Sequence, residues 1–425
     1  MTRNKSALFL LYTANSISGF AQGISMLSIP WYFAKNQQST VFNLFYGLLT
    51  FIALFWGLYA GTLIDKYNRK KVFIILNIVC GIMVTGIGFV GLMDTFLPLW
   101  LIAAVFGITM FNYNIHYPAL YAFGQEITEP ENYGQLNSQI EIVGQSTSFL
   151  AGLIGAQLID GVNTSFTCNF LLFSKTFTVH ISQWKIWEIF LLDGFTYFLA
   201  ITLIFFIRYK PQVVRNIETG NMLKRIKTGF SFLKKNKNIF LFGLMSYAIF
   251  ATVLVEFHAV LPMYISNHLH SKGYVFAISE GTFSLGALLA GIFIRKLSKK
   301  HNIIKSIIFM MLVTGGIYLV TAFTCQISVV YIYSAILGFT NAGTRVLRMT
   351  FLFKSVSNDL MGRVNSVFNM LNVLTRTGFI LLFGMVFFSN GSNITHAFTI
   401  LAVFLFISTI PIFFIPNENE PHSKK

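Results

Sequence analysis

The sequence predicts an all-α membrane protein: twelve transmembrane helices in two parallel six-helix halves. Three observations predict it. The composition is 55% apolar and only 11% charged, with 47 Phe in 425 residues, whereas soluble domains carry about 25% charged residues. Apolar runs long enough to span a bilayer recur along the whole chain. The second half of the chain repeats motifs of the first in the same order. The composition excludes a soluble multidomain enzyme, which would lack polar groups to cover its surface, and excludes intrinsic disorder.

The runs lie at 7–34, 41–64, 72–93, 98–122, 135–160, 186–207, 239–266, 273–294, 303–325, 327–352, 363–388 and 394–415. Each has the roughly 20 apolar residues that a spanning helix needs. Membrane strands are about 10 residues long with strict alternation, so strands are not expected. The first run is too long for a signal-peptide core and lacks a small-x-small cleavage site, and it is read as a helix that stays. An even number of helices puts both termini on one side.

Lys and Arg choose the side. One set of loops holds Arg3 and Lys5, the group Lys66, Arg69, Lys70 and Lys71, nine basic residues between Arg208 and Lys237, the cluster Arg295 to Lys305, then Lys354 and Arg363, and finally Lys424 and Lys425. The opposite loops hold Lys35, Lys175, Lys185 and Lys272. The asymmetry predicts that both termini are cytoplasmic, in the inner (plasma) membrane of a cell. The net charge of +16 is then a topology signal and an attraction to anionic inner-leaflet lipid. Nucleic-acid binding is not expected.

The basic stretch 208–238 separates the halves, 1–207 and 239–425. A second long loop, 161–185, lies on the outer side. Cys80, Cys168 and Cys325 have no metal or redox spacing and imply no disulfide framework. Two glycosylation sequons, at Asn163 and Asn393, are read as chance.

The repeat is explicit. Ala60-Gly61 through Asp65-Lys66 to Arg69-Lys70 aligns with Ala290-Gly291 through Arg295-Lys296 to Lys299-Lys300, and Tyr133-Gly134-Gln-Leu-Asn137-Ser138 aligns with Met361-Gly362-Arg363-Val-Asn365-Ser366. The two offsets are nearly equal. A same-orientation duplication of six helices is an architecture used by transporters.

Gly61-x-x-x-Asp65-Lys66-x-Asn68-Arg69-Lys70 resembles the signature loop of the major facilitator superfamily, with Asn68 where Gly is usual. Asn tolerates left-handed geometry better than most residues. Gly61 permits close approach at the end of its helix, Asp65 can face a helix N-terminus, and Arg69 can pair with Asp65. The resemblance implies a conformational latch built from Gly61, Asp65, Lys66, Arg69 and Lys70, with a weak or silent second copy. Ile29-Pro30-Trp31, Leu261-Pro262 and Met361-Gly362-Arg363-Val364 resemble an efflux branch that includes macrolide-efflux proteins and the enterobactin exporter. Gly144, Gly152, Gly155, Ala156 and Gly161 are similar to the glycine-rich antiporter motif, with Ala156 in place of Pro. Small residues there equally suit plain helix packing. Drug–proton efflux members carry an Arg in helix 4. None is present here, so proton coupling by that route is not expected.

The same resemblance implies that helices 1, 4, 7 and 10 line a central cavity. Polar groups at membrane depth are costly and mark function. Helix 1 offers Asn15, Ser18 and Gln22 on one face. Helix 4 offers Asn112 and His116, helix 7 Glu256 and His258, and helix 10 Arg345 and Arg348. Arg376 on helix 11 needs an anionic partner or water. Glu256 is the first choice for proton coupling, because a carboxylate in a low-dielectric cavity favours its neutral form. The other candidates are Asp193, Glu280 and Glu141, the last two equally readable as a gating pair. Phe111, Tyr113, Tyr117, Tyr247 and Phe250 are candidates for an apolar binding chamber.

No phosphate-binding Gly-rich loop, nucleophile–base pair or metal-ligand spacing occurs, so neither catalysis nor a cofactor is expected. The expected activity is secondary transport by alternating access, with a proton gradient as energy source. Efflux of an amphiphilic small molecule, a drug or a siderophore, is the leading reading. Uptake of a nutrient or siderophore, a lysophospholipid flippase and a non-transporting sensor stay open. The expected partners are a small-molecule substrate and the bilayer, with the protein a monomer.

Overall fold

A computed structural model describes residues 2–94, 96–170, 173–209, 222–300 and 302–415. They are almost wholly helical. In chain order the long helices are α1 (Thr2–Lys35), α2 (Ser39–Lys66), α3 (Arg69–Asp94), α4 (Leu99–Ile127), α5 (Tyr133–Asp160) and α6 (Ile186–Phe205). A basic amphipathic helix, α7 (Met222–Lys235), and a segmented span built from α8 (Lys237–Ser246), α9 (Ala248–Val255) and α10 (Leu261–Met263) follow. Next come α11 (Gly273–Lys300), α12 (Ile303–Ala322), α13 (Ile327–Ser355), α14 (Asn358–Phe383), the single turn α15 (Val386–Ser389) and α16 (Thr395–Phe413).

Among the described residues, eleven helical stretches are long and apolar enough to cross a membrane. The twelfth expected span, the 34-residue α1, is long enough at about 1.5 Å per residue, but its asparagines, serines and glutamine dilute its apolarity. Helix α3 shows why such segments belong in lipid. Phe73, Asn77, Cys80, Gly81, Val84, Gly88 and Gly91 form its buried stripe. The opposite face exposes Ile75, Ile78, Val79, Ile82, Met83, Phe89 and Val90. A helix that is apolar all round finds no water-facing side.

The chain forms two compact units. Unit 1 comprises Met1–Asn36, Tyr59–Arg215 and His270–Gly281. Inside it α3 packs along α6, and α1 packs along α6, α5 and α4. Unit 2 comprises Gln37–Leu58, Asn216–Leu269 and Thr282–Lys425. Inside it α12 packs against α16 and α13, α7 lies along α14, and α9 meets α13 and α14. Each unit therefore contains a piece of chain from the other half of the sequence.

Two differences from the sequence reading stand out. The loop 161–185 is not irregular: β1 (Val162–Phe170) and β2 (Phe173–Ile181) pair antiparallel, with Val162 opposite Ile181 and Phe170 opposite Phe173. The sequence carries the sign of this, for Val162, Thr164, Phe166 and Cys168 alternate with Asn163, Ser165, Thr167 and Asn169, a period of two rich in β-formers. The seventh run is not one continuous α-helix either. Glu256–Val260 and Tyr264–His268 are π-helical turns flanking α10. Pro262 lies between them and has no N–H for the carbonyl of His258 four residues back. The Asn43 amide, fully buried in unit 2, donates to the carbonyls of Ala259 and Phe383, both at 3.3 Å.

Candidate functional site

In unit 1 the polar candidates of α1 and α4 pair across the two helices in two groups. The imidazole of His116 meets Asn15 Oδ1 at 2.8 Å. Asn112 Nδ2 donates to the Tyr197 hydroxyl at 3.3 Å and to Gln22 Oε1 at 3.5 Å. Gln22 in turn donates to Ser18. Ser18, Gln22 and Asn112 are buried at 1–2% exposure. The three- and four-residue spacings on each helix place these groups in line. Tyr197, from α6, is a member that sequence reasoning missed: one Tyr in an apolar run carries no signal until a partner faces it.

Asp193, one turn before Tyr197 on α6, is fully buried. Neither carboxylate oxygen has a hydrogen-bond partner, with the Ser25 hydroxyl facing it outside hydrogen-bonding geometry. Glu141 on α5 accepts a hydrogen bond from the Tyr121 hydroxyl at 2.7 Å. Glu280, on the part of α11 that belongs to unit 1, is half-buried. The Tyr113 and Tyr117 rings meet at a tilt, with centroids 5.4 Å apart. Tyr117 is 43% exposed, and Phe111 is half-buried. Gly152 on α5 makes a close approach, since a Cβ there would lie 2.6 Å from the carbonyl oxygen of Ala277 on α11.

In unit 2, Glu256 is 2% exposed and accepts a 2.5 Å hydrogen bond from the Tyr333 hydroxyl of α13. Its place at the start of a π-turn sets it apart from the regular helix before it. His258 packs edge-on against the Tyr46 ring, centroids 5.7 Å apart. The guanidinium of Arg376 sits 5.9 Å from the Phe250 ring centroid. The expected shared face of Arg345 and Arg348 separates. Arg348 is 3% exposed, donates to the Ser246 carbonyl at 3.1 Å and stacks 3.6 Å over the Tyr247 ring, whereas Arg345 is exposed. A cation stacked on an aromatic face and bound to a carbonyl is stable at depth without a counterion in direct contact.

The signature loop is partly described. The side chains of Gly61 and Asp65, and those of Arg295 to Lys300 in the second copy, lie outside the described residues. Arg69 pairs with Glu126 at 3.4 Å and also donates to the Ala122 carbonyl. Glu126 further accepts from the Tyr209 hydroxyl at 2.9 Å. Lys70 donates to the carbonyls of Phe205 and Ile207, at 2.9 and 2.8 Å, so a cation closes the C-terminal end of α6. Lys66 is exposed beside Tyr67. Asn68 does not adopt left-handed geometry. Its side chain accepts from the Lys71 N–H at 3.2 Å and so caps α3.

Residues 11–380 match the profile of the Major Facilitator Superfamily. The chain belongs to that superfamily. Its fold is shared with solved transporters. The nucleoside transporter NupG is 13% identical, with 96% of this chain and 98% of that chain covered and a TM-score of 0.69. A bacterial homologue of the human lysosomal transporter Spinster, solved inward-facing and occupied, is also 13% identical, with 97% of each chain covered and a TM-score of 0.69. The unoccupied inward-facing form of that homologue gives a TM-score of 0.64 at 12% identity. These likenesses establish the fold, and the family match with the eleven apolar helical stretches makes this major facilitator protein a multi-pass membrane protein. No curated protein sequence matches the chain significantly.

Proposed function

We propose that this major facilitator protein is a secondary transporter that exports an amphiphilic small molecule, a drug or a siderophore, against proton entry. It works by alternating access of two six-helix halves, as a monomer in the inner membrane with both termini cytoplasmic. The observation that carries the coupling is the pair of buried carboxylates, Asp193 in unit 1 and Glu256 in unit 2. An ionisable group at membrane depth is expensive and is retained for transport, proton relay or a fixed partner. Glu256 accepts a hydrogen bond from the Tyr333 hydroxyl, and Asp193 is buried beside the Ser25 hydroxyl. The finer likeness to the macrolide-efflux and enterobactin-exporter branch, the polar networks and the aromatic groups support a bulky amphiphile as substrate. Arg345, Arg348 and Arg376 suit an anionic group on it.

Uptake of a nutrient or siderophore is the second reading, and a lysophospholipid flippase on the same fold is a third. Mass spectrometry of pellet and medium, with and without the protein, separates these. A compound trapped in the pellet of deficient cells supports export, and one left in their medium supports uptake. For coupling, Glu256→Gln is expected to abolish transport driven by an imposed pH gradient while leaving substrate binding intact. Unchanged pH-driven transport in that variant removes Glu256 from the role. Asp65→Asn is expected to slow transport at least tenfold, and wild-type rates would remove the latch.

A further inference from the structure

A cavity of about 440 Å³ in unit 1 is not part of the polar network. It lies where α1 and α5 end and α6 begins, beside Phe96 and Leu97 after α3. The 26 residues of α3 put it about 39 Å from the signature loop. Its volume suits a small organic ligand.

Its lining is unusual in two respects. Trp31, Trp184 and Trp187, three of the five tryptophans in the chain, share it with Tyr32. Trp31 is only 5% exposed, unlike a residue of a lipid-facing belt. Trp31 and Trp187 each keep a buried indole N–H with no hydrogen-bond partner. Lys35 and Lys185, two of the four basic residues assigned to the outer loops, also meet here, and no carboxylate lines the cavity. Lys185 stands 5.7 Å from the Trp187 ring centroid. The neighbouring Glu188 accepts from the Lys185 backbone N–H at 2.5 Å, which engages it at the start of α6. The loop is pinned by the Trp184 N–H donating to the Leu158 carbonyl at 2.8 Å.

We propose that this cavity is a second binding site, specific for an organic anion with a flat apolar body. The indole and phenol rings hold the body, and Lys35 and Lys185 hold the acidic group. Rigid aromatic walls give contact area at little entropic cost, and two ammonium groups in a lining without a carboxylate attract an anion. The anion is either a soluble molecule or the headgroup of an anionic lipid.

The test uses the full-length protein in phosphatidylcholine nanodiscs, with dansylglycine as the anionic probe and dansylamide as its neutral counterpart. Energy transfer from tryptophan reports binding here, because most of the tryptophans line the cavity. Saturable dansylglycine binding is expected, weakened at least tenfold by the double variant Lys35→Gln/Lys185→Gln and retained by Lys35→Arg/Lys185→Arg. Dansylamide is expected to bind both proteins equally and more weakly than dansylglycine binds the wild type. Wild-type affinity for dansylglycine in the Gln variant overturns the proposal, as does equal binding of the two probes to the wild type. If nanodiscs containing phosphatidylglycerol weaken probe binding at least fivefold, the site takes a lipid headgroup. Unchanged affinity assigns it to a soluble anion.

Discussion

Arg69 shows how a motif residue acquires its role from a partner the motif does not contain. Its guanidinium meets Glu126 at the end of α4, and Tyr209 binds the other oxygen of that carboxylate. Removing one member of a mostly buried ion pair strands the other. Glu126→Gln is therefore expected to lower stability by about 1–3 kcal/mol, the lower part of that range reflecting the 18% exposure of Arg69. Tyr209→Phe, which removes one bond to a charged acceptor, costs less, about 1.5 kcal/mol. The midpoint of thermal unfolding in detergent reads both. Equal midpoints for Glu126→Gln and wild type would mean that the pair is ornamental. Arg69 and Lys70 stood out in the sequence by the loop spacing. Glu126, Tyr197 and Tyr333 did not, because each meets its partner only through a side chain 57 to 85 residues away.

At the scale of the element, the span Lys237–His268 is the irregular one. A proline in a helix interior costs about 3 kcal/mol, and here it coincides with two π-turns, the first of which starts at Glu256. π-turns recur at functional positions. Pro262→Ala is expected to regularise the helix, raise the unfolding midpoint and slow transport at least tenfold, because Glu256 then turns away from Tyr333. A variant that is more stable and transports normally would show the irregularity to be incidental. The proline was readable in the sequence. The length of the π segments and the role of Asn43 in serving the Ala259 carbonyl were not, since they depend on a helix about 200 residues earlier in the chain. The hairpin of β1 and β2 had a period-two signal that is easily hidden in a chain dominated by helical runs.

The whole molecule is two units that do not coincide with the two halves of the sequence. Unit 1 takes His270–Gly281 from the second half, and unit 2 takes Gln37–Leu58 from the first. Separately expressed halves, cut within 210–221, are each expected to lack part of a core and to be degraded. Coexpressed, they are expected to reassemble and to co-purify through a tag on one of them. A stable, monodisperse N-terminal half alone would contradict this.

By itself, the sequence determined the class of protein, the helical runs, the repeat and the signature loop. Each is a one-dimensional property: burial in lipid demands long apolar runs, duplication leaves a fixed offset, and a tight loop needs particular residues at fixed spacing. Tertiary structure alone decided which polar groups meet, that Arg348 is buried while Arg345 is not, and which helix segments build each unit. It also decided that two lysines far apart in the chain share an aromatic cavity. Those outcomes depend on packing between segments distant in sequence, and a hydrophobic pattern specifies that a face is buried without specifying what it is buried against.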